Sequence, residues 1–440
     1  MGQRISSLPE VTINHLQKKI LFTLGFLAIY RIGVHVPIPG VDAARLSEFF
    51  SSQGANLFGM FNMFSGGALE RFSIFALGVM PYISASIIAQ LLTVVVPHLE
   101  ALSKEGEAGR KKITQYTRYG TIILALVQGF FIANALASAD YGGGSLVLDG
   151  GYGWLIMTAL SLTAGTAFVM WLGEQITERG VGNGISLIIF SGIVAGLPSV
   201  ITNTYSSYNS AEMGMPQILL LVVIVVLITA GVVFMEQGAR QVPIQYAKRQ
   251  VGRRVYGGQT SHLPIRVNTA GVIPPIFASS LLQIPVTGAQ LFEGGSFANT
   301  MNTLFIPGGW LYNVVYLALI IFFAFFYTSI QFKPDDIAEN LKKHGGFIPG
   351  IRPGARTSEF LEKVINRLTL TGAIYLAAIC LVPTVIMDRF NVQFYFGGTS
   401  LLIIVGVALE TFRQIDAHRQ SLRYEAFMKQ GSIRSRGGRK

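Results

Sequence analysis

Cysteine is almost missing from this chain: Cys380 stands alone in 440 residues, so no internal disulfide can staple the fold. Charge is scarce too, at 13% of residues against about 25% in an ordinary globular domain. A soluble chain this poor in charge could not cover its own surface, and a 51% hydrophobic composition places it among integral membrane proteins. Inside its long apolar stretches, ionisable residues are lacking except for Arg31 and His35 in the first. Ion- and proton-coupled carriers keep such groups near mid-membrane to carry the coupling charge, so their scarcity argues against a pump or carrier. There is no Cys/His cluster at metal-ligand spacing, no Gly-rich phosphate loop, and no recognisable Ser, His and Asp set. These absences argue against an enzyme and imply neither cofactor nor metal.

What the chain has instead is ten apolar stretches, each near the roughly 20 residues that a spanning helix needs. They are Ile20–Val36, Phe72–Val96, Gly120–Ala137, Trp154–Leu172, Ile185–Val200, Ile218–Met235, Thr269–Val286, Trp310–Ile330, Leu368–Met387 and Phe394–Leu409. They are apolar all round rather than alternating, which predicts an all-α polytopic membrane protein and not a β-barrel. The first lacks a small-residue cleavage site and is followed by further stretches, so it reads as a span and not a signal peptide. The 34 Lys and Arg outnumber the 23 Asp and Glu, and their placement is informative. With a cytoplasmic N-terminus, 30 of the 34 fall on one side; only Arg45, Arg71 and Arg389 fall opposite, and Arg31 lies within the first stretch. The positive-inside rule then puts both termini in the cytoplasm. The long loops Gln237–Asn268 and Gln331–Arg367 are basic, whereas Tyr141–Gly151 and Glu293–Gly309 on the far side are Gly-rich and short of charge.

Two segments depart from the pattern. Phe58–Leu69, FGMFNMFSGGAL, is apolar but broken by Asn62, Ser65, Gly66 and Gly67. It reads either as an interfacial loop helix or as half of a discontinuous element, which membranes tolerate only against protein or a cavity. The seventh stretch holds Pro274, Pro275 and Pro285 with Ser279, Ser280 and Gln283. That predicts a kinked helix facing other helices or water rather than lipid.

The order of motifs resembles the SecY family, the central subunits of the bacterial Sec protein-conducting channel. The resemblance is carried by MFSGGALERFSIFALGVMPYISASIIAQLL (Met63–Leu92), KEGEAGRKKITQYTRYG (Lys104–Gly120) and WLGEQITERGVGNGIS (Trp171–Ser186). It continues in QYAKRQVGRRVYGGQTSHLPIRVNTAGVIPPIFASS (Gln245–Ser280), NLKKHGGFIPGIRPG (Asn340–Gly354) and FYFGGTSLLI (Phe394–Ile403). It implies ten transmembrane helices in two pseudo-symmetric five-helix halves around a central pore with a lateral gate. The implied plan is a cytoplasmic segment 1–19, an N-terminal half 20–203 with a plug at 62–72, and a hinge loop 204–217. A C-terminal half 218–412, carrying the basic loops 237–268 and 331–367, precedes a basic tail 413–440.

The resemblance also implies roles. The pore-ring positions fall on Ile83, Ile87, Ile185, Ile189, Ile276 and Ile403; a narrow aliphatic ring dewets and blocks ions. The plug includes Asn62, Ser65, Gly66, Gly67 and Arg71, and the lateral gate Ser84, Ser86, Gln90, Ser279, Ser280 and Gln283. Clustered Lys248, Arg249, Arg253, Arg254, Lys342, Lys343, Arg352 and Arg356 fit docking of ribosomal RNA through counterion release, or of the SecA motor ATPase. SecE and SecG are the implied companion subunits. Signal sequences, nascent polypeptides and membrane lipid are the implied ligands, and the bacterial cytoplasmic (inner) membrane is the implied location. The implied function is a passive protein-conducting channel that moves unfolded polypeptide across the membrane and releases hydrophobic segments sideways into lipid.

Overall fold

The computed structural model describes residues 10–42, 45–46, 48, 62, 65–138, 140–141, 144–147, 150–210, 214–246, 249–251, 254–256, 260–289, 309–390 and 398–436. In the first part of the chain the helices are α1 (Glu10–Gly33), α2 (Met80–Val95), α3 (Pro97–Lys104), α4 (Glu107–Ser138), α5 (Tyr152–Arg179) and α6 (Gly184–Asn209). Then come α7 (Met215–Gln237), α8 (Ile273–Ala289), α9 (Trp310–Gln331), α10 (Pro334–Lys343), α11 (Ala355–Phe390) and α12 (Gly398–Arg436). The ten apolar stretches fall in order on α1, α2, α4, α5, α6, α7, α8, α9, α11 and α12. Among the described residues, seven helices are long and apolar enough to cross a membrane, or eight if α2 and α3, bent by 98° at Val96, form one span. The other two are special cases. Helix α1 keeps Lys18, Lys19 and Arg31 along its length, and α8 is a short apolar helix.

Local chemistry sets where the helices begin. Asn183 caps α6, its Oδ1 accepting from the Ile185 N–H at 3.1 Å and the Ser186 N–H at 3.4 Å. Gly214 before α7 donates its N–H to Gln217 Oε1 at 2.8 Å, one arm of a capping box. Helix α10 opens on Pro334, Asp335 and Asp336 and closes on Lys342 and Lys343, the charge order that its macrodipole favours.

Three expectations change. The second span starts at Met80 rather than Phe72, because residues 72–79 form turns tied by a bridge to the segment after α1. There the Ile38 N–H donates to Phe72 O and the Ile74 N–H to Val36 O, at 2.9 and 3.1 Å. The prolines of α8 are not all kinks: Pro274 and Pro275 occupy its first turn, where a missing N–H costs no helix bond. The basic tail is not separate from the last span, since α12 continues without a break to Arg436.

The chain forms two compact units, considered separately. One gathers Met1–Thr202, Pro285–Asn302 and Val407–Lys440. Its core packs Ile38, Leu69, Phe72, Ala125, Trp154 and Leu162. Small residues let α4 and α5 close together: a Cβ on Gly129 would already touch Ala159 and Leu162 at 3.4 Å. Arg118 Nε of α4 donates to Glu174 Oε1 of α5 at 2.8 Å. The turn between α5 and α6 is tied on three sides, Thr23 accepting from the Val181 N–H, Gln414 from the Gly182 N–H and Thr177 from the Gly184 N–H.

The other unit gathers Asn203–Ile284 and Thr303–Gly406. Here the loop after α7 folds into strands. β3 (Ala239–Tyr246) pairs antiparallel with β6 (Thr260–Arg266), from Ala239↔Arg266 to Gln245↔Thr260. β7 (Gly346–Phe347) joins the other edge of β3, and β4 (Arg249–Val251) pairs with β5 (Arg254–Tyr256). Short β1 (Asp140–Tyr141) and β2 (Gly144–Ser145) pair in the first unit. Val242 and Ile265 of the larger sheet, Ile348, and Leu361 and Ile365 of α11 make a second core.

Candidate pore, plug and docking surfaces

The two α2 isoleucines assigned to the pore ring, Ile83 and Ile87, lie one helical turn apart on a single face, and both are buried. On α6, Ile189 is buried and Ile185 half-buried. The Ile185 side chain leans on Gly173 of α5, where a Cβ would come within 2.4 Å of it. In the second unit Ile276 and Ile403 are both buried. On α2 the exposed apolar residues are instead Ile88, Leu92, Val94 and Val95.

The plug stretch is described at Asn62 and from Ser65 onward, and the remainder of Phe58–Leu69 lies outside the described residues. Ser65–Val79 forms turns rather than a helix. Asn62 organises it: its Oδ1 accepts the Glu70 N–H at 2.9 Å, its Nδ2 donates to Glu70 Oε2 at 3.1 Å, and its carbonyl accepts from Gly67 N–H and Ser65 Oγ. Arg71 is exposed. Helix α1 then holds the segment from one side. Tyr30 donates its hydroxyl to Ser65 O and Arg31 donates Nη1 to Gly66 O, both at 3.0 Å. Below them Phe75 stacks between Tyr30 and Phe168, each at 5.9 Å, in a slot opened by Gly33, whose Cβ would meet the Phe75 ring at 2.0 Å.

Gly66 and Gly67 both take left-handed backbone, at φ +70° and +83°, but only Gly66 is hemmed in. A Cβ there would lie 2.7 Å from Gly192 Cα and 2.8 Å from the Arg31 guanidinium, whereas Gly67 faces open space. Gly66→Val should therefore unseat the segment, and Gly67→Ala should carry only the roughly 1–2 kcal/mol of left-handed strain. Ion efflux from proteoliposomes checks this: a large rise for Gly66→Val and a small one for Gly67→Ala. Equal effects would mean that contact with α6 plays no part.

The gate residues divide between the units. On α2, Ser84 is buried and Gln90 donates Nε2 to Ser86 Oγ at 3.3 Å. On α8, Ser279 donates to Ile276 O at 2.9 Å and Ser280 is buried; the Gln283 side chain lies outside the described residues. The start of α8 is anchored by buried Asn268, which donates Nδ2 to buried Glu236 of α7 and to Gly271 O at 3.1 Å. Thr269 and Thr328 share a hydrogen bond at 3.1 Å.

Of the docking cations, Lys248 and Arg253 lie outside the described residues. Arg249 and Arg254 sit on the paired strands β4 and β5, beyond the end of the larger sheet. Lys342, Lys343, Arg352 and Arg356 are all exposed. Gly350 and Gly354, at φ +82° and +105°, bracket Ile351, Arg352 and Pro353, and Thr357 Oγ1 donates to Arg352 O at 3.1 Å. Lys343 pairs with Glu339 at 2.8 Å and Arg356 with Glu359 at 3.6 Å. The Lys343 hydrogen bond and charge hold the Glu339 carboxyl below its usual range. That contribution is present above the unfolded-state pKa and is lost as pH falls through the lowered one.

Nothing in the sequence marks Tyr30 or Glu236, and Asn268 stands out only as one of several polar side chains at the seventh stretch. Arg31 carried a signal, a lone guanidinium within an apolar span, and such residues are usually functional and partnered.

Helices of spanning length, with a turn-rich segment packed against α1, define a polytopic α-helical membrane protein. The family model for SecY matches residues 73–412. The protein translocase subunit SecY of Escherichia coli K12 is 50% identical over 428 residues, 97% of this chain and 96% of its own. That of Streptomyces galbus is 49% identical over 425 residues, 94% and 97%. Among solved structures, a protein-conducting channel aligns over 96% of both chains at TM-score 0.63 and 16% identity. The Sec61 of a canine ribosome–channel complex does so at TM-score 0.61 and 17% identity, again over 96% of both. The chain belongs to the SecY family.

Proposed function

We propose that this chain is the protein-conducting subunit of a bacterial inner-membrane translocon, with both termini cytoplasmic. It passes unfolded secretory polypeptide across the bilayer and releases hydrophobic segments into lipid. The observation that carries the reading is the plug segment. Ser65–Glu70 is packed against α1 and α6, yet in place of a regular helix it has local turns and two side-chain bonds from Tyr30 and Arg31. Such an element seals when seated and can leave without breaking a helix ladder.

The six isoleucines line the conduit in this reading and offer a translocating chain no hydrogen bond to hold it. Ser84, Ser86, Gln90, Ser279, Ser280 and Gln283 form the gate, which a signal sequence opens by binding the open state better than the closed one. The chain carries no catalytic step, so the drive comes from ribosomal elongation or from SecA. These dock on the cations of β4, β5, α10 and the Arg352 turn, and SecE and SecG complete the complex. A stalled secretory nascent chain should crosslink to a photoreactive residue placed at Ile87 or Ile276. Absence of that crosslink, with the complex still assembled, would sink the conduit reading.

A further inference from the structure

Where α9 leaves its apolar run, the second unit contains a cavity of about 640 Å³. Phe322 and Phe326 of α9 line it on one side, and Phe322 is 53% exposed toward the surroundings of the span. Across from them α11 presents Glu362, Asn366 and Thr369, with Asp335 contributed by the first turn of α10. The α11 positions fall at four- and three-residue steps, so they share one face that passes from a carboxylate to a lone hydroxyl.

Three observations point to a ligand. Thr369 is only 4% exposed, and among the described residues its hydroxyl has no hydrogen-bond partner, an unusual state for a buried polar group. Asp335 uses one carboxylate oxygen to accept from Ser358 Oγ, which leaves acceptor capacity on the other. Among the described residues, two carboxylates line the cavity and no Lys or Arg does. The nearby Lys363 is engaged with Glu359 at 2.9 Å.

We infer that this cavity binds an aminophospholipid from the leaflet on the side of the basic loops. Its primary ammonium headgroup would sit at Asp335 and Glu362, its glycerol-ester region would supply the acceptor that Thr369 lacks, and an acyl chain would lie on Phe322 and Phe326. Charge selects the headgroup: a cation is drawn to two carboxylates, and a primary ammonium donates three hydrogen bonds where a quaternary one donates none. The phenylalanine wall selects a ligand with an apolar tail over a free amine. This inference rests on the membrane-spanning fold and not on the conducting role.

The test is native mass spectrometry of the intact purified chain with phosphatidylethanolamine, phosphatidylcholine and phosphatidylglycerol of identical acyl chains. Phosphatidylethanolamine should be retained about tenfold better than the other two, as expected for loss of charge-assisted hydrogen bonds. Asp335→Asn with Glu362→Gln should abolish the preference, and the isosteric Thr369→Val should weaken retention while leaving the preference in place. Equal retention of the three lipids, or a preference indifferent to the double variant, would overturn the inference. A photoreactive residue at Phe326 that crosslinks in native membranes to a protein helix instead of lipid would overturn it as well.

Discussion

Replacing Tyr30 by Phe and Arg31 by Gln together should make the resting channel leak ions. Both side chains donate to backbone carbonyls of the segment proposed as the plug, Ser65 O and Gly66 O, so the substitutions remove these ties to α1 without altering that segment's own sequence. A neutral hydrogen bond contributes about 1 kcal/mol and one from a charged donor about 1.5–3; Arg31 is half-buried, which favours the lower part of that range. A combined loss of about 3 kcal/mol shifts an equilibrium roughly a hundredfold, so the unseated population should rise by about that factor. Potassium flux from proteoliposomes measures it. Tyr30→Phe keeps an aromatic ring against Phe75, and Phe168 still stacks on its other side, so the fold should survive and thermal unfolding should change little. Flux at the wild-type level in the double variant would show that the plug is held by packing alone. Arg31→Lys gives a further check, since a shorter donor with the same charge should leak less than Arg31→Gln.

Asn268→Leu should be among the most destabilising single substitutions in the second unit. Asn268 donates to Glu236 where both are buried, and it also ties itself to Gly271 O ahead of α8. Taking a donor from a buried carboxylate costs about 2–3 kcal/mol, whereas replacing both partners by apolar groups of similar shape can be close to neutral. The double variant Glu236→Met with Asn268→Leu should therefore unfold at a higher temperature than Asn268→Leu alone. If the two substitutions instead add, the carboxylate is being satisfied by other neighbours. The anchored element is α8, which carries Ser279 and Ser280, so the single variant should also alter release of hydrophobic segments into lipid.

Hydropathy in the sequence was enough to find the membrane helices, because lipid leaves a spanning backbone few options beyond a helix satisfied within itself. Each of the ten apolar stretches falls on a helix over most of its described residues, and among the described residues seven or eight helices are long and apolar enough to span. The sorting of Lys and Arg implied an orientation for the same reason, since cations stay preferentially on one side. Motif order was enough to indicate the family. Helix starts were less legible. The run from Phe72 is continuously apolar, yet eight of its residues form turns, because Val36 and Ile38 supply backbone partners that hydropathy cannot reveal. The prolines of α8 read as kinks until Pro274 and Pro275 proved to lie in its first turn.

The contacts that hold Ser65–Glu70 and anchor α8, and the surroundings that leave Thr369 without a partner among the described residues, depend on residues far apart in sequence. Tyr30 meets Ser65 across 35 positions, and Asn268 meets Glu236 across 32. Composition and periodicity report how a residue partitions between water and lipid, which is a property of the residue and its near neighbours. Whether a buried donor finds its acceptor depends on angstrom-scale packing of separate helices. For that reason the apolar helices could be read along the chain, while the ties from Tyr30 and Arg31, the Asn268 anchor and the cavity at Thr369 depend on how the helices pack.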